Sequence, residues 1–272
     1  MIKTIIITGA SDGIGAAAAR RLSDHGHRVV VVGRSKSKTA DIAHHIGAQY
    51  YLADFADLSQ VRHLAEELLA TYPLIDVLAN NAGGIMGART VTIDGNEMTF
   101  QVNHLAPFLL TTLLLPSLVA GQATVIQTAS VAARFFGKFN IDDLQNARDY
   151  APQTAYGNAK LANILFTKEL QRRYADQGIA AVSFHPGLVG TSFASDTTHP
   201  MRRLYHGPLK RLLTITPDKG ADQLVWLAEG VARSTFEAGE YYESKKVAKK
   251  INADMNDANL ARQLWERSEE LV

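Results

Sequence analysis

KTIIITGASDGIGAAAAR, residues 3–20, decides how the rest of the chain is read. Residues 3–8 are β-branched after Lys3 and bounded by glycine, which predicts a strand, and residues 14–25 carry helical spacing. Between them Gly9, Gly13 and Gly15 form a tight turn. Backbone N–H groups and the positive end of a helix then face one point, and the missing side chains let a pyrophosphate approach it. The small residues Ala16 to Ala19 allow that helix to lie close to the sheet. A plain βα connection is the other reading of such a turn, and the placement after a strand and before a helix favours the phosphate reading.

The strand-helix alternation continues along the chain. Strands are expected at 3–8, 28–32, 49–53, 75–79, 124–128, 180–184 and 240–242, and helices at 14–25, 39–46, 58–72, 97–119, 154–177, 218–231 and 256–270. This pattern predicts βαβ units and a parallel sheet. The near-continuous apolar runs IIIT, VVVV and AAVSF imply strands covered on both faces, as in a doubly wound α/β fold, where ligands sit beyond the carboxyl ends of the strands. No linker rich in Pro, Gly or Ser divides the 272 residues, and 46% hydrophobic content supplies one core. Lys and Arg number 28 against 27 Asp and Glu, so no global field points to nucleic acid or acidic membranes. Cysteine is absent, which removes disulfides, thiolate zinc sites and cysteine nucleophiles and suits a reducing compartment. The first residues read as a strand rather than a signal peptide. The longest apolar run, residues 108–121, is broken by Thr111, Thr112 and Pro116 and falls short of the ~18 residues of a membrane span.

The strand ends carry the candidate chemistry. VVVVGRSKSK places Gly33 where dinucleotide sites hold an acidic residue for the adenosine ribose, and Arg34 follows it. The absent carboxylate and the guanidinium fork favour a 2′-phosphate, hence NADP over NAD. Exchanging Gly33 for Asp together with Arg34 for a neutral residue is expected to move preference toward NAD. Asp54 can accept from an adenine amino group, and Asn80 and Asn81 can satisfy backbone where strand and ligand meet, or either can close a turn. Ser130 ends the fifth strand, and HPGLVGT ends the sixth, with Pro186 and Gly187 forcing a turn and Thr191 offering a hydroxyl. In AYGNAKLAN, residues 155–163, Tyr156 and Lys160 project from one helix face. A fixed cation beside a phenol favours the phenolate and makes an acid/base device, whereas packing of ring on aliphatic stem is the plainer reading.

TGASDGIG, the NNAG of residues 80–83, Ser130 and Tyr156-x-x-x-Lys160 resemble the short-chain dehydrogenases/reductases over nearly the whole chain. QVNHLAPFLLT, AYGNAKLANILFTKEL, HPGLVGT and LWERSEEL are similar to the branch that holds retinol dehydrogenases and related carbonyl reductases. The resemblance implies one Rossmann-type domain over residues 1–272 and an NADP(H) cofactor, with NAD(H) second. It implies a small carbonyl or alcohol substrate and a catalytic set of Asn103, Ser130, Tyr156 and Lys160. Its cofactor contacts would come from Gly9, Ser11, Asp12, Gly13, Ile14 and Gly15, from Arg34 and Asp54, and from Asn81, Ala82 and Gly83. Tyr156 and Lys160 would add ribose contacts, and Pro186, Gly187, Val189 and Thr191 would hold the carboxamide side. Asn103 would hold a water linking Lys160 to solvent. Two departures stand out: Ala159 replaces a serine often found before the lysine, and Asp12 replaces a basic residue sometimes found in the glycine turn. The apolar anchor of membrane-bound relatives is missing, and a cytoplasmic location is expected.

Residues 191–217 interrupt the alternation and are expected to form a helical substrate lid. Phe193, Met201, Leu204, Tyr205, Leu209 and Leu212 would line its inner face, joined by Phe135 and Phe136, which favours an apolar, medium-sized substrate. Arg202, Arg203, Lys210, Arg211, Lys245, Lys246, Lys249 and Lys250 are read as solvated. No metal is expected, since His104 and His185 have no carboxylate near them in sequence, and His185 is expected to satisfy loop backbone. Asp142 and Asp143 are expected to begin a short helix. A protein that binds NADP as a sensor without turnover is the rival reading, and the intact Ser/Tyr/Lys set argues against it. No feature identifies an oligomer interface.

Overall fold

The computed structural model describes residues 1–187 and 215–272. The lid segment and Val189 and Thr191 therefore lie outside the described residues, apart from the three positions 215–217. Among the described residues eight strands form one sheet in the order β3-β2-β1-β4-β5-β6-β7-β8. These are β1 Thr4–Thr8, β2 Arg28–Gly33, β3 Gln49–Leu52, β4 Val77–Asn80, β5 Thr124–Thr128, β6 Ala180–His185, β7 Tyr241–Glu243 and β8 Lys246–Val247. All neighbours pair in parallel except β7 and β8. The order reverses between β1 and β4, which opens the crevice at the carboxyl edge where such sheets bind ligands. This is the expected Rossmann-type doubly wound α/β fold.

Consecutive side chains of each strand enter opposite layers. Ile5, Ile7, Val29 and Val31 pack with helices α1 (Gly13–Asp24) and α2 (Lys36–Ile46) and with the later helix Pro217–Glu229. Ile6, Val30, Leu78 and Val125 pack with α3 (Leu58–Thr71) and with the helices after β4. Both faces are dry, which is why the strands read as unbroken apolar runs.

The region 97–119, expected as one helix, is divided. A short α4 (Met98–Phe100) leads into a π-turn at Gln101–Leu105, then α5 (Ala106–Leu113) and α6 (Leu115–Ala120). Two prolines explain both breaks. Pro107 has no N–H for the carbonyl of Asn103 and its ring crowds that carbonyl, and Pro116 does the same to Thr112. The helix relieves the first conflict by a wider turn in which Ala106 N–H reaches Gln101 O.

Beyond β5 come α7 (Ala132–Phe135), a 3-10 turn at Ile141–Asp143, and the long α8 (Pro152–Tyr174). Asn140 rather than an acid caps that turn, its Oδ1 accepting from Asp142 N–H at 3.0 Å, and Asp143 ends it and accepts from Ala147 N–H. The remaining helices are α9 (Pro217–Glu229) and α10 (Ala258–Leu271). The strand β8 was not legible: β7 and β8 form a two-residue hairpin whose loop, Ser244 and Lys245, has φ of 51° and 60°. Both values belong to the left-handed region that a type I′ turn demands, and neither residue is the Gly or Asn that advertises one. Among the described residues no helix is long and apolar enough to cross a membrane.

Candidate active site

The ends of β1, β4 and β5 are stitched together by side chains. Thr8 Oγ1 accepts from the N–H groups of Asn81 and Ala82, each at 3.0 Å. Asn81 Nδ2 donates to Thr8 O at 3.1 Å, and Thr128 Oγ1 donates to Asn81 Oδ1 at 3.4 Å. Asn80 instead turns inward and donates to Thr111 Oγ1 at 2.9 Å, so the two asparagines expected as a pair serve opposite sides of the sheet. The role of Thr8 was missed, although its hydroxyl at the end of an otherwise aliphatic strand was a readable signal.

The glycine turn sits against this stitch. Gly9 has φ of 65°, and a Cβ there would lie 2.8 Å from Ala82 Cα. A Cβ on Gly15 would meet Gly9 O and lie 2.7 Å from Asn81 Nδ2. Gly15 thus serves the packing of turn against sheet and does not line the cleft, whereas Gly9, Ser11, Asp12, Gly13 and Ile14 do. Asp12 caps α1 by accepting from Gly13 N–H at 2.7 Å and pairs with Lys38 at 3.2 Å.

The cleft has a volume of about 930 Å³. At one end lie Gly33, Arg34 and Asp54, in the middle the glycine turn with Asn81, Ala82 and Gly83, and at the other end Ser130, Tyr156, Lys160, Pro186 and Gly187. Arg34 is exposed, while Asp54 accepts from Ala56 N–H at 3.0 Å. Gly33 is crowded: a Cβ would meet Thr39 Oγ1 and lie 2.9 Å from Ser11 Cβ. The exchange of Gly33 for Asp suggested by sequence therefore has no room, and Arg34 alone is the position to probe.

Tyr156 and Lys160 share one face of α8, with Lys160 Nζ 5.6 Å from the ring centroid. Both are buried, Lys160 to 2% exposure, and its ammonium donates to Thr128 O at 3.0 Å. Burial pushes the lysine down from 10.5 to about 7. Ser130 stands at the end of β5, its Oγ accepting from Ala132 N–H at 3.2 Å. The segment after Ser130 is clamped to α8 by two residues that sequence reasoning passed over. Gly157 lets it approach, since a Cβ there would lie 2.8 Å from Gly137 N, and Asn158 Oδ1 accepts from Lys138 N–H at 2.7 Å. A glycine inside a long helix was the available sign.

Asn103 lies behind the cleft rather than in its wall. Its Nδ2 donates to Thr99 O at 2.8 Å and to Gly84 O at 2.9 Å, and its Oδ1 accepts from Gly84 N–H at 3.1 Å. Both amide protons are used, and the side chain holds the glycine segment next to Lys160.

The rest of the wall is apolar, with Ile85, Met86, Met98, Val102, Val131 and Phe136, and Gln153 reaches it from the first turn of α8. Phe136 lines the cleft as expected, whereas Phe135 does not and is 66% exposed. Among the described residues the buried Nδ1 of His185 has no hydrogen-bond partner, and burial together with Arg134 pushes the ring down to about 4; the loop it was expected to satisfy lies outside the described residues. His104 is buried in an aromatic box of Phe100, Phe108 and Phe166, with Nε2 2.9 Å from Ser268 Oγ.

Comparison with known proteins agrees with this layout. The short chain dehydrogenase profile matches residues 3–202. A protein of Streptomyces sp. (strain C5), provisionally named daunorubicin C-13 ketoreductase DnrU, is 41% identical across 98% of this chain and 91% of its own length. Human retinol dehydrogenase 13 is 35% identical across 99% of this chain and 84% of its own. Among solved structures, an uncharacterised Mycobacterium paratuberculosis protein superposes with a TM-score of 0.76 at 32% identity, covering 99% of this chain and 92% of its own. Sheet order, cleft and relatives together make the chain a member of the short-chain dehydrogenase/reductase family, in its retinol dehydrogenase-like branch, whose members transfer hydride between a nicotinamide and a carbonyl or alcohol.

Proposed function

We propose that the chain acts as a single domain and is an NADP(H)-dependent oxidoreductase of apolar, medium-sized carbonyls or alcohols, with Tyr156 as acid and base. The observation that carries this reading is the pair itself: a buried ammonium one helical turn from a phenol, in the same cleft as the glycine turn and Ser130.

The residues fit a dinucleotide. Positive φ at Gly9 and Gly13 shapes the turn, the crowding at Gly9 and Gly15 requires it to pack bare against the end of β4, and the cleft it lines runs from there to both Arg34 and Tyr156. Arg34, exposed and without an ion pair among the described residues, would take the 2′-phosphate. The contacts assigned by resemblance to Val189 and Thr191 would complete the nicotinamide end. A bound nicotinamide supplies the hydride.

In reduction, Tyr156 gives its phenolic proton to the substrate oxygen. Ser130 donates a hydrogen bond to the same oxygen, an interaction that strengthens as negative charge builds there and so lowers the barrier. Lys160, when charged, favours the phenolate and would hold the ribose hydroxyls of a bound nucleotide. Asn103 would act through the Gly83–Gly84 segment and through its carbonyl, which Pro107 leaves without a helical donor; that carbonyl rather than the amide would hold a water toward Lys160. The apolar wall near Met86 and Phe136 supports the substrate class, as do relatives named for daunorubicin, retinol and polyprenol. The cysteine-free composition supports a cytoplasmic location.

The test is NADPH consumption over a panel of aldehydes, ketones, quinones and retinoids. Tyr156→Phe is expected to abolish turnover while retaining NADPH binding, and a variant keeping a tenth of the activity rejects Tyr156 as the acid.

A further inference from the structure

The segment after Ser130 and the β7–β8 hairpin with its trailing residues meet on one surface. Arg134 Nη1 donates to Lys250 O at 2.7 Å and to Glu243 Oε1 at 3.3 Å, and Asn252 Nδ2 donates to Gly137 O at 3.3 Å. These ties set residues 135–138 beside residues 245–251. The joined surface exposes Phe135 at 66%, Phe136 at 42%, Val247 at 41% and Ile251 at 36%. Around them stand the exposed Lys138, Lys245, Lys246, Lys249 and Lys250. Glu243 is half-buried and already paired with Arg134, so it does not neutralise the lysines. Phe136 belongs both to this surface and to the wall of the cleft, which makes the surface continuous with the cleft mouth.

From this combination we propose that the surface docks on an anionic lipid bilayer, with the lysines at the headgroup phosphates and Phe135, Val247 and Ile251 at the acyl boundary. The charge selects an anionic partner, and the interleaved aromatic and aliphatic side chains select lipid over nucleic acid. Polyanions in water reward the ammonium groups but give exposed Val and Ile nothing to bury against. The docking needs no membrane-spanning helix. It turns the mouth of the cleft toward the medium in which apolar carbonyls dissolve.

Flotation with vesicles of phosphatidylcholine alone, and of phosphatidylcholine with roughly 30 mol% phosphatidylserine, reads this directly and does not depend on turnover. The wild type is expected to float with the anionic vesicles only and to be released by salt. At roughly fivefold per lysine near a charged surface, the variant Lys245→Ser/Lys246→Ser/Lys249→Ser/Lys250→Ser should bind at least roughly a hundredfold more weakly. Phe135→Ser/Ile251→Ser should also bind more weakly while keeping its unfolding temperature. Equal flotation with both vesicle types, or no flotation with either, overturns the proposal. Undiminished binding by the lysine variant overturns it as well, as does binding of the wild type to single-stranded RNA tighter than to the anionic vesicles.

Discussion

Replacing Lys160 by Met keeps the length of a buried side chain and removes its charge. The ammonium is 2% exposed, its one hydrogen bond to the protein among the described residues goes to Thr128 O, and burial lowers it from 10.5 to about 7. At ~1.4 kcal/mol per unit this corresponds to about 5 kcal/mol of stability withheld from the folded protein whenever both folded and unfolded chains carry the proton, that is, below about pH 7. Between about 7 and 10.5 the unfolded chain holds a proton that the folded chain does not, so stability rises with pH across that window. Above it the difference is gone. Lys160→Met loses the hydrogen bond, worth ~1 kcal/mol, and should therefore be more stable than the parent by roughly 3–4 kcal/mol at pH 6. That advantage should fall to zero or slightly below at pH 10. Denaturant unfolding of both proteins, freed of nucleotide, at pH 6, 8 and 10 measures it. A difference that stays constant with pH would show that the lysine titrates in the folded protein as it does in water, and the account of its burial would fail.

Exchange of Gly15 for Ala usually stabilises a helix, but here the added carbon would lie 2.7 Å from Asn81 Nδ2. A loss of about 1–3 kcal/mol in stability, with weaker nucleotide binding by fluorescence titration, is expected instead. Arg34→Ser should raise KM for NADPH by tenfold or more while leaving KM for NADH nearly unchanged, read from initial rates with each nucleotide. Ser244→Asn together with Lys245→Gly relieves two left-handed residues in the β7–β8 turn, and thermal unfolding should report a gain of roughly 1–2 kcal/mol.

The central strands β1, β2, β4, β5 and β6 were legible because they are buried on both faces and so write apolar runs into the sequence. The glycine turn, Arg34, Ser130 and the pair on α8 were legible because each lies at a strand end or at helical spacing. What stayed hidden depended on contacts between distant segments. Nothing local says that Gly33 faces Thr39 and Ser11, that Asn103 spends its amide on Gly84, or that Gly15 serves packing instead of a ligand. The division of region 97–119 is a different case, because Pro107 and Pro116 stood in the sequence and marked both breaks. The hairpin was hidden because Ser244 and Lys245 adopt a backbone shape that their identities do not suggest.

The Thr8 hydroxyl gathers two amides from the end of the neighbouring strand β4 and so holds the floor of the crevice in its final shape before anything enters. Entry of a dinucleotide on that side should resemble a key meeting a cut lock: amide exchange at Asn81 and Ala82 would already be slow in the empty protein and would change little on saturation. Valine, equal in shape to threonine, would leave both amides stranded and convert a rigid floor into one that must be rebuilt at each catalytic cycle.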